Sequence, residues 1–479
     1  MKIAEITITL LVLFTFTDVS SAGWERTFSE GDYAVGYYVI QTEDGGFLVA
    51  GETYSTGMDG VRSVYLVKTD SAGDTAWERT WGENSGSSSV AQVEDSGYII
   101  AGYVSGDVYL IRANAYGDTV WTRSYGGDGR DKGSSVVQTT DGGYIIAGTT
   151  SSFLTHPTDS ADIYLIKTDA RGDTLWTRTY GGLYNDYGFS VKQTADGGFV
   201  VAGETYSFSG GWSSVYLVKV DSTGEMLWQR TYGGSYGSGG NSVIQSSDGR
   251  YIVAGWTYSS DAGETDVYLA KIDTDGDTLW TRTYGGCWND VGCSVIQNTD
   301  GGYTIAGYTE SFGAGAFDVY LVKTDAEGNL LWQRTYGESG EDYGSSVAQT
   351  GDNGYIIAGA TNSFTLGRSD VYLVKTDSLG YVDTTAIGEN ISHKPREVAI
   401  SAYPNPFNSS CCITVPEGAK LEIYNLRGRL VYKMPVSLPP ANPYEIIWQP
   451  DKPIASGVYL IRAMTRNGRM MTKKLVLLK

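Results

Sequence analysis

The sequence predicts an all-β protein: a seven-bladed β-propeller closed by an N-terminal outer strand, followed by a small immunoglobulin-like β-sandwich. Three observations predict it. A unit of about 51 residues recurs seven times between residues 24 and 380. Each copy holds four short runs rich in Val, Ile, Tyr and Thr, punctuated by Asp-Gly, Gly-Gly or Asp-x-x-Gly turns. No segment of helical period separates them, which fits a propeller better than a sandwich. Composition agrees: 479 residues at 41% hydrophobic and 19% charged supply buried cores and too little charge for a disordered chain. Two His and four Cys exclude a His-rich metal centre, a dense disulfide framework and a zinc ribbon.

In chain order, residues 1–22 read as a secretory signal. Lys2 precedes an apolar run from Ile6 to Phe16, and Ser20-Ser21-Ala22 puts small residues before a cut at Gly23. That run is shorter than the roughly 20 residues of a membrane span, and no later stretch is as apolar, so no span is expected in the mature chain. Net charge is −20. From residue 381 onward the chain carries 13 Lys+Arg against 7 Asp+Glu, so the excess acid lies in the repeats. An acidic body repels phosphate backbones and excludes nucleic acid as a partner.

The repeat, residues 23–380, is marked by Trp24, Trp77, Trp121, Trp176, Trp228, Trp280 and Trp332, and by Gln41, Gln92, Gln138, Gln193, Gln245, Gln297 and Gln349. One unit reads as strand A (Ser135 to Thr139), B (Tyr144 to Thr149), C (Asp162 to Thr168) and D (Leu175 to Tyr180), with tight A-B and C-D turns and longer B-C and D-A loops. The region opens on a lone D strand, Trp24 to Phe28, and its seventh unit stops after a C strand, Asp370 to Thr376. Pairing the two closes the ring and removes both open edges. A polar linker, 381–398, leads to the C-terminal β-sandwich of residues 399–479, which shows period-2 alternation and Pro/Gly turns.

The Asp-Gly turn after strand A, the Ala-Gly pair in B and the Asp opening C (Asp107, Asp162, Asp266, Asp318, Asp370) resemble the layout of WD-repeat propellers, without the Gly-His and Trp-Asp pairs of that family. Asp169 to Trp176 also resembles the tryptophan motif of quinoprotein propellers and, loosely, the sialidase Asp box, in neither case in register. In the tail, Tyr403-Pro404-Asn405-Pro406-Phe407-Asn408, Leu421 to Arg429, Trp448, Ala455 to Leu460 and Lys474 to Lys479 occur in order. This set closely resembles the C-terminal sorting domain of the bacterial type IX secretion system, with Cys411-Cys412 as a departure. The resemblance implies export, the type IX machinery as a partner, and an outer-membrane-surface or extracellular location. An ordinary adhesion module is the alternative.

In a symmetric ring a structural residue is needed in every blade and a catalytic one only once. The seven Trp, and the Arg two residues after each, are therefore expected to be structural, and no catalytic residue is assigned. Asp273, Asp275 and Asp277 are the richest carboxylate run and the one candidate calcium site. They resemble part of an EF-hand loop, but Thr278 and Tyr284 stand where Gly and Glu are required, and turn chemistry explains them better. No other cofactor is expected. Gly233 to Gly237 matches G-x-S-x-G by chance, joining two strands with no helix to form an elbow. An extracellular setting permits a disulfide between Cys287 and Cys293.

The remaining candidates are non-repeating residues of the D-A and B-C loops, expected on one rim: Tyr184, Tyr187, Trp212, Tyr236, Trp256, Tyr258, Trp288, Tyr308, Phe312, Phe317 and Tyr343, with Asp131, Asp186, Asp290 and Asp342 beside them. Aromatic platforms next to carboxylates suit sugar rings, and the same aromatics suit packing under Gly-rich loops. Lys192 and His156 are further irregularities. The sequence thus predicts an exported propeller that binds glycan or a surface protein through this rim, with the central channel a second candidate. The rivals are a polysaccharide-active or quinone-dependent enzyme, which needs unique charges near the axis, and a structural surface-layer spacer, which needs a uniform rim.

Overall fold

The computed structural model describes residues 23–382 except 56–59, 155–160, 235, 259–263 and 365–367. In the tail it describes 401–403, 411–415, 420–433, 444–448, 456–464 and 470–477. The signal segment, most of the linker and His156 lie outside the described residues.

Seven four-stranded antiparallel sheets follow one another. Blades 1 to 6 each take four consecutive strands, within 33–81, 85–125, 131–180, 186–232, 238–284 and 290–336. Blade 7 combines Asp342–Gln349, Tyr355–Thr361 and Asp370–Thr376 with the N-terminal strand Trp24–Phe28, which pairs as expected, Trp24 opposite Lys375 and Phe28 opposite Val371.

The apolar B and C strands form the cores between blades. Ile145, Ala147, Ile163 and Leu165 of blade 3, for example, pack against Val191, Phe199 and Val201 of blade 4. Polar repeats link neighbours. Each marker Gln reaches back to the preceding blade's A-B turn: Gln193 Oε1 accepts from Thr140 N at 2.9 Å, and Gln41 Oε1 from Gly351 N at 2.8 Å, joining last blade to first. The D-strand Trp lies on the next blade's C-D turn, where Trp121 covers Gly172, whose φ of 80° and close ring contact suit glycine. The following Arg lies over that Trp, as Arg123 does at 5.4 Å, and reaches a turn carboxylate, Asp173, at 3.4 Å. The repeated Trp and Arg are thus inter-blade joints.

The tail forms a three-stranded sheet (Ser401–Tyr403, Cys411–Val415, Tyr444–Trp448) and a four-stranded one (Lys420–Asn425, Leu430–Lys433, Gly457–Met464, Met470–Leu477). Leu421, Ile423, Ile461, Leu475 and Trp448 are buried in it.

Candidate functional site: the channel mouth

Strand A begins about four residues earlier than its sequence pattern suggests. In blade 3 it runs Asp131–Gln138, with a bulge between Gly133 and Ser135, and the same bulge recurs in every blade. The extra residue breaks the two-residue alternation and bends the strand. The B strand approaches closely here, so that a Cβ on Gly148 would fall on the Lys132 carbonyl oxygen. This closeness explains the repeated Ala-Gly pair.

One step toward the mouth from these glycines, A and B residues face each other in pairs that differ in every blade: Val35 with Glu52, Gly86 with Tyr103, Lys132 with Thr149, Tyr187 with Glu204, Gly239 with Trp256, Val291 with Tyr308, and Tyr343 with Ala360. The bulged residue two positions on varies as well: Tyr37, Ser134, Phe189, Asn241 and Cys293 all occupy it. The Tyr187 and Phe189 rings stack 6.2 Å apart, so the two positions share a face. Sizes are complementary. Where B carries Trp256, A carries Gly239, whose Cβ would lie 2.6 Å from the indole nitrogen.

Between blades 5 and 6 these residues leave a cleft of about 530 Å³ lined by Asn241, Trp256, Thr265, Asn289, Val291, Cys293, Tyr308 and Phe317. Tyr308, Phe317 and Tyr343 form one aromatic cluster with ring separations of 5.1 to 5.5 Å. Asn289 Nδ2 donates to Glu310 at 2.9 Å and Asn241 Nδ2 to the Gly292 carbonyl at 2.9 Å, which holds both amides in place. Stacking faces flanked by oriented amides can hold a sugar ring.

Of the rim aromatics named from sequence, Trp256, Tyr308 and Phe317 line this cleft and Tyr343 adjoins it. Tyr184, Trp212 and Tyr236 lie elsewhere, with 62%, 63% and 54% of their surface exposed, and Tyr258 packs 6.2 Å from Tyr236. Trp288 is half-buried, its backbone N–H donating to Ser311 Oγ at 3.0 Å. Phe312 is packing: it covers Tyr320 at 5.7 Å, as Phe153, Phe208 and Phe364 cover Tyr164, Tyr216 and Tyr372 in three other blades.

The carboxylates require a correction. Asp131, Asp186, Asp290 and Asp342 open their A strands and are buried. Ser152, Ser207, Ser311 and Ser363 each donate to one of them at 2.6 Å, and backbone N–H groups of the D-A loop add a second bond, from Gly182 at 2.8 Å to Asp186 and from Gly286 at 2.6 Å to Asp290. They latch the B-C loop to the D-A loop and offer no exposed acceptor to a ligand. Burial raises the pKa of Asp186, Asp290 and Asp342, Asp290 to about 7, with the nearby Asp266 carboxyl adding to the shift.

The turn reading of Asp273, Asp275 and Asp277 agrees with the structure, and the Cys287–Cys293 bridge is corrected. Asp273 Oδ1 accepts from the backbone N–H of Asp275 at 3.0 Å and Asp277 at 2.8 Å, the same Asx turn that Asp169 makes with Arg171 and Asp173. The three carboxylates do not converge, and among the described residues no three acidic, His or Cys side chains are grouped to hold a metal ion. Cys293 is a free thiol while Cys287 is disulfide-bonded, so these two are not bridged. Cys293 is the bulged residue of its strand and faces the cleft, where burial pushes its thiol up to about 12.

Residues 401–478 match the family described as the secretion system C-terminal sorting domain. The chain is 25% identical over 268 residues to the regulatory protein FlaEY of Caulobacter vibrioides, covering 50% of this chain and 27% of that protein. It thus spans about a quarter of that relative's length. Solved structures similar to it include the Neurospora crassa Pan2 WD40 domain (10% identity, 77% of this chain and 99% of that one, TM-score 0.43) and Sqt1 from Chaetomium thermophilum (9% identity, 81% and 95%, TM-score 0.44). YCF48 bound to D1 peptide is also similar (9% identity, 74% and 95%, TM-score 0.42). The seven closed sheets define a β-propeller. With its sorting tail, the chain is an exported propeller protein, destined for the cell surface or the extracellular space.

Proposed function

We propose that this protein is a surface-displayed receptor that binds a glycan at the mouth of its propeller channel. The observation that carries the reading is the contrast between adjacent positions of the repeat. The Gly, Gln, Trp and C-strand residues that build the ring recur, whereas the mouth pair beside the glycines differs in every blade and leaves the cleft between blades 5 and 6. A structural spacer has no use for such variation. The signal segment would start export and the type IX machinery would complete it by recognising the tail.

The test is a panel of immobilised polysaccharides probed with the secreted chain, with and without calcium and with turnover assays alongside. The reading expects saturable, calcium-independent binding without product formation. Silence across the panel would refute it. Two other readings each have a specific observation in favour. The exposed loop aromatics Tyr184, Trp212 and Tyr236, outside the cleft, favour a surface protein as the partner. The unique charges of Glu52, Arg62 and Lys132 near the axis favour a polysaccharide-active enzyme, which the turnover arm detects.

A further inference from the structure

Blades 1 to 3 supply a wall of the mouth unlike the aromatic one. Glu52 is buried at 6% exposure. Its carboxylate accepts from Tyr37 Oη at 3.0 Å and Tyr103 Oη at 2.9 Å, and Arg62 lies 3.4 Å away. Its charge is therefore satisfied within the protein. Lys132, in blade 3, is different. Its ammonium lies 5.4 Å over the Tyr103 ring, its side chain is exposed to the mouth, and among the described residues it makes no ion pair.

Six other lysines of the ring show what is unusual here. Lys68, Lys167, Lys219, Lys271, Lys323 and Lys375 each reach the Asp of their own A-B turn at 2.7 to 2.9 Å, and Lys192 sits farther along strand A of blade 4. Those six belong to the repeat. Lys132 does not, and no other blade places a cation at its position. Surrounding protein atoms lower its pKa, the Glu52 carboxylate opposes that shift, and the Arg62 charge adds a smaller lowering. In an acidic body the long-range field discourages polyanions such as nucleic acid, whereas a local cation outside any ion pair still attracts a single carboxylate. In a seven-membered ring this wall stands across the axis from the cleft of Trp256 and Tyr308.

We propose that the mouth selects acidic sugars: the carboxylate of a uronic acid sits against Lys132 while another ring of the same oligosaccharide stacks on Trp256 and Tyr308. This rests on the glycan reading above and names the class of sugar. The experiment is calorimetric titration of the secreted full chain with a uronic-acid oligosaccharide, its carboxyl-reduced neutral counterpart and a sulfated neutral oligosaccharide, repeated on K132Q and K132R. The uronate should bind about tenfold or more tightly than the other two. K132Q should abolish that preference and K132R retain it, and added salt should weaken uronate binding. Equal binding of acid and reduced forms, or a K132Q chain that keeps the preference, would overturn the acidic-sugar assignment and leave the glycan reading intact. Equal or tighter binding of the sulfated sugar would overturn the carboxylate in particular. No binding of any of the three overturns both.

Discussion

Replacing Trp24 with Ala tests how the ring is closed. Trp24 is buried, whereas its six counterparts, Trp228 among them, are only half-buried. The Trp24 ring lies on Gly73 of blade 1 and edge-on to Phe47 at 5.7 Å, as Trp228 lies on Gly276 and Tyr251. What differs is local: Gly23 before Trp24 is wedged against Tyr381 and Val382 as the chain leaves the propeller. Truncating a buried Trp costs about 3–5 kcal/mol. A half-buried one loses roughly half of that area term, about 1.5–2.5 kcal/mol. W24A also weakens a strand that the chain can shed, because Trp24–Phe28 is joined to blade 7 by pairing and side-chain packing and not by a hairpin. Guanidinium unfolding followed by far-UV circular dichroism should show W24A losing about twice as much stability as W228A, with earlier proteolysis near residue 30. Equal losses, or losses below about 1 kcal/mol in both, would refute the closure argument.

Asp290, raised to about 7, has a folded-state pKa above its unfolded value, so its contribution to stability is complete at low pH and is lost as pH rises toward 7. D290N should flatten the fall in unfolding midpoint between about pH 4 and 7, a slope of at most roughly 1.4 kcal/mol per unit for one group. Asp141 and Asp196 are lowered to about 2 by hydrogen bonds and their lysines, which outweigh desolvation, so they add stability that vanishes only on acidification from about pH 4 to 2. D141N should act there and leave the range above pH 5 unchanged. G148A should cost more than about 2 kcal/mol, measured by the same unfolding, because its Cβ meets the Lys132 carbonyl. Cys293 should resist alkylation at pH 8 in the folded chain and react fully after denaturation, as read by peptide mass mapping.

Most of the ring was legible because its joints are large, distinctive residues repeated seven times. Trp and Gln counted the blades, and the odd D strand at one end and missing D strand at the other predicted that Trp24–Phe28 would pair with Asp370–Thr376. The mouth was less legible. A bulge at Gly133 and Ser135 interrupts the two-residue alternation, so Asp-Lys-Gly-Ser reads as loop and strand A was placed at Ser135 to Thr139 rather than Asp131–Gln138. That shift hid Lys132 and made Asp186, Asp290 and Asp342 look like exposed acceptors when they are buried latches. One signal was present: the Thr-x-Ser-Phe stretch of the B-C loop, as in Thr309 to Phe312, accompanies an Asp at the start of strand A in blades 3, 4, 6 and 7. Asn241 and Asn289 could be assigned to the cleft only by a fold that brings D-A loops, bulges and B strands together.

The proposal that ligands are taken at the variable mouth is tested most directly by titrating a bound oligosaccharide into W256A and W212A side by side. Trp256 lines the cleft and Trp212 is an exposed loop residue outside it, so affinity should fall about tenfold or more in W256A and stay within twofold of the parent in W212A. The opposite pattern would contradict the account.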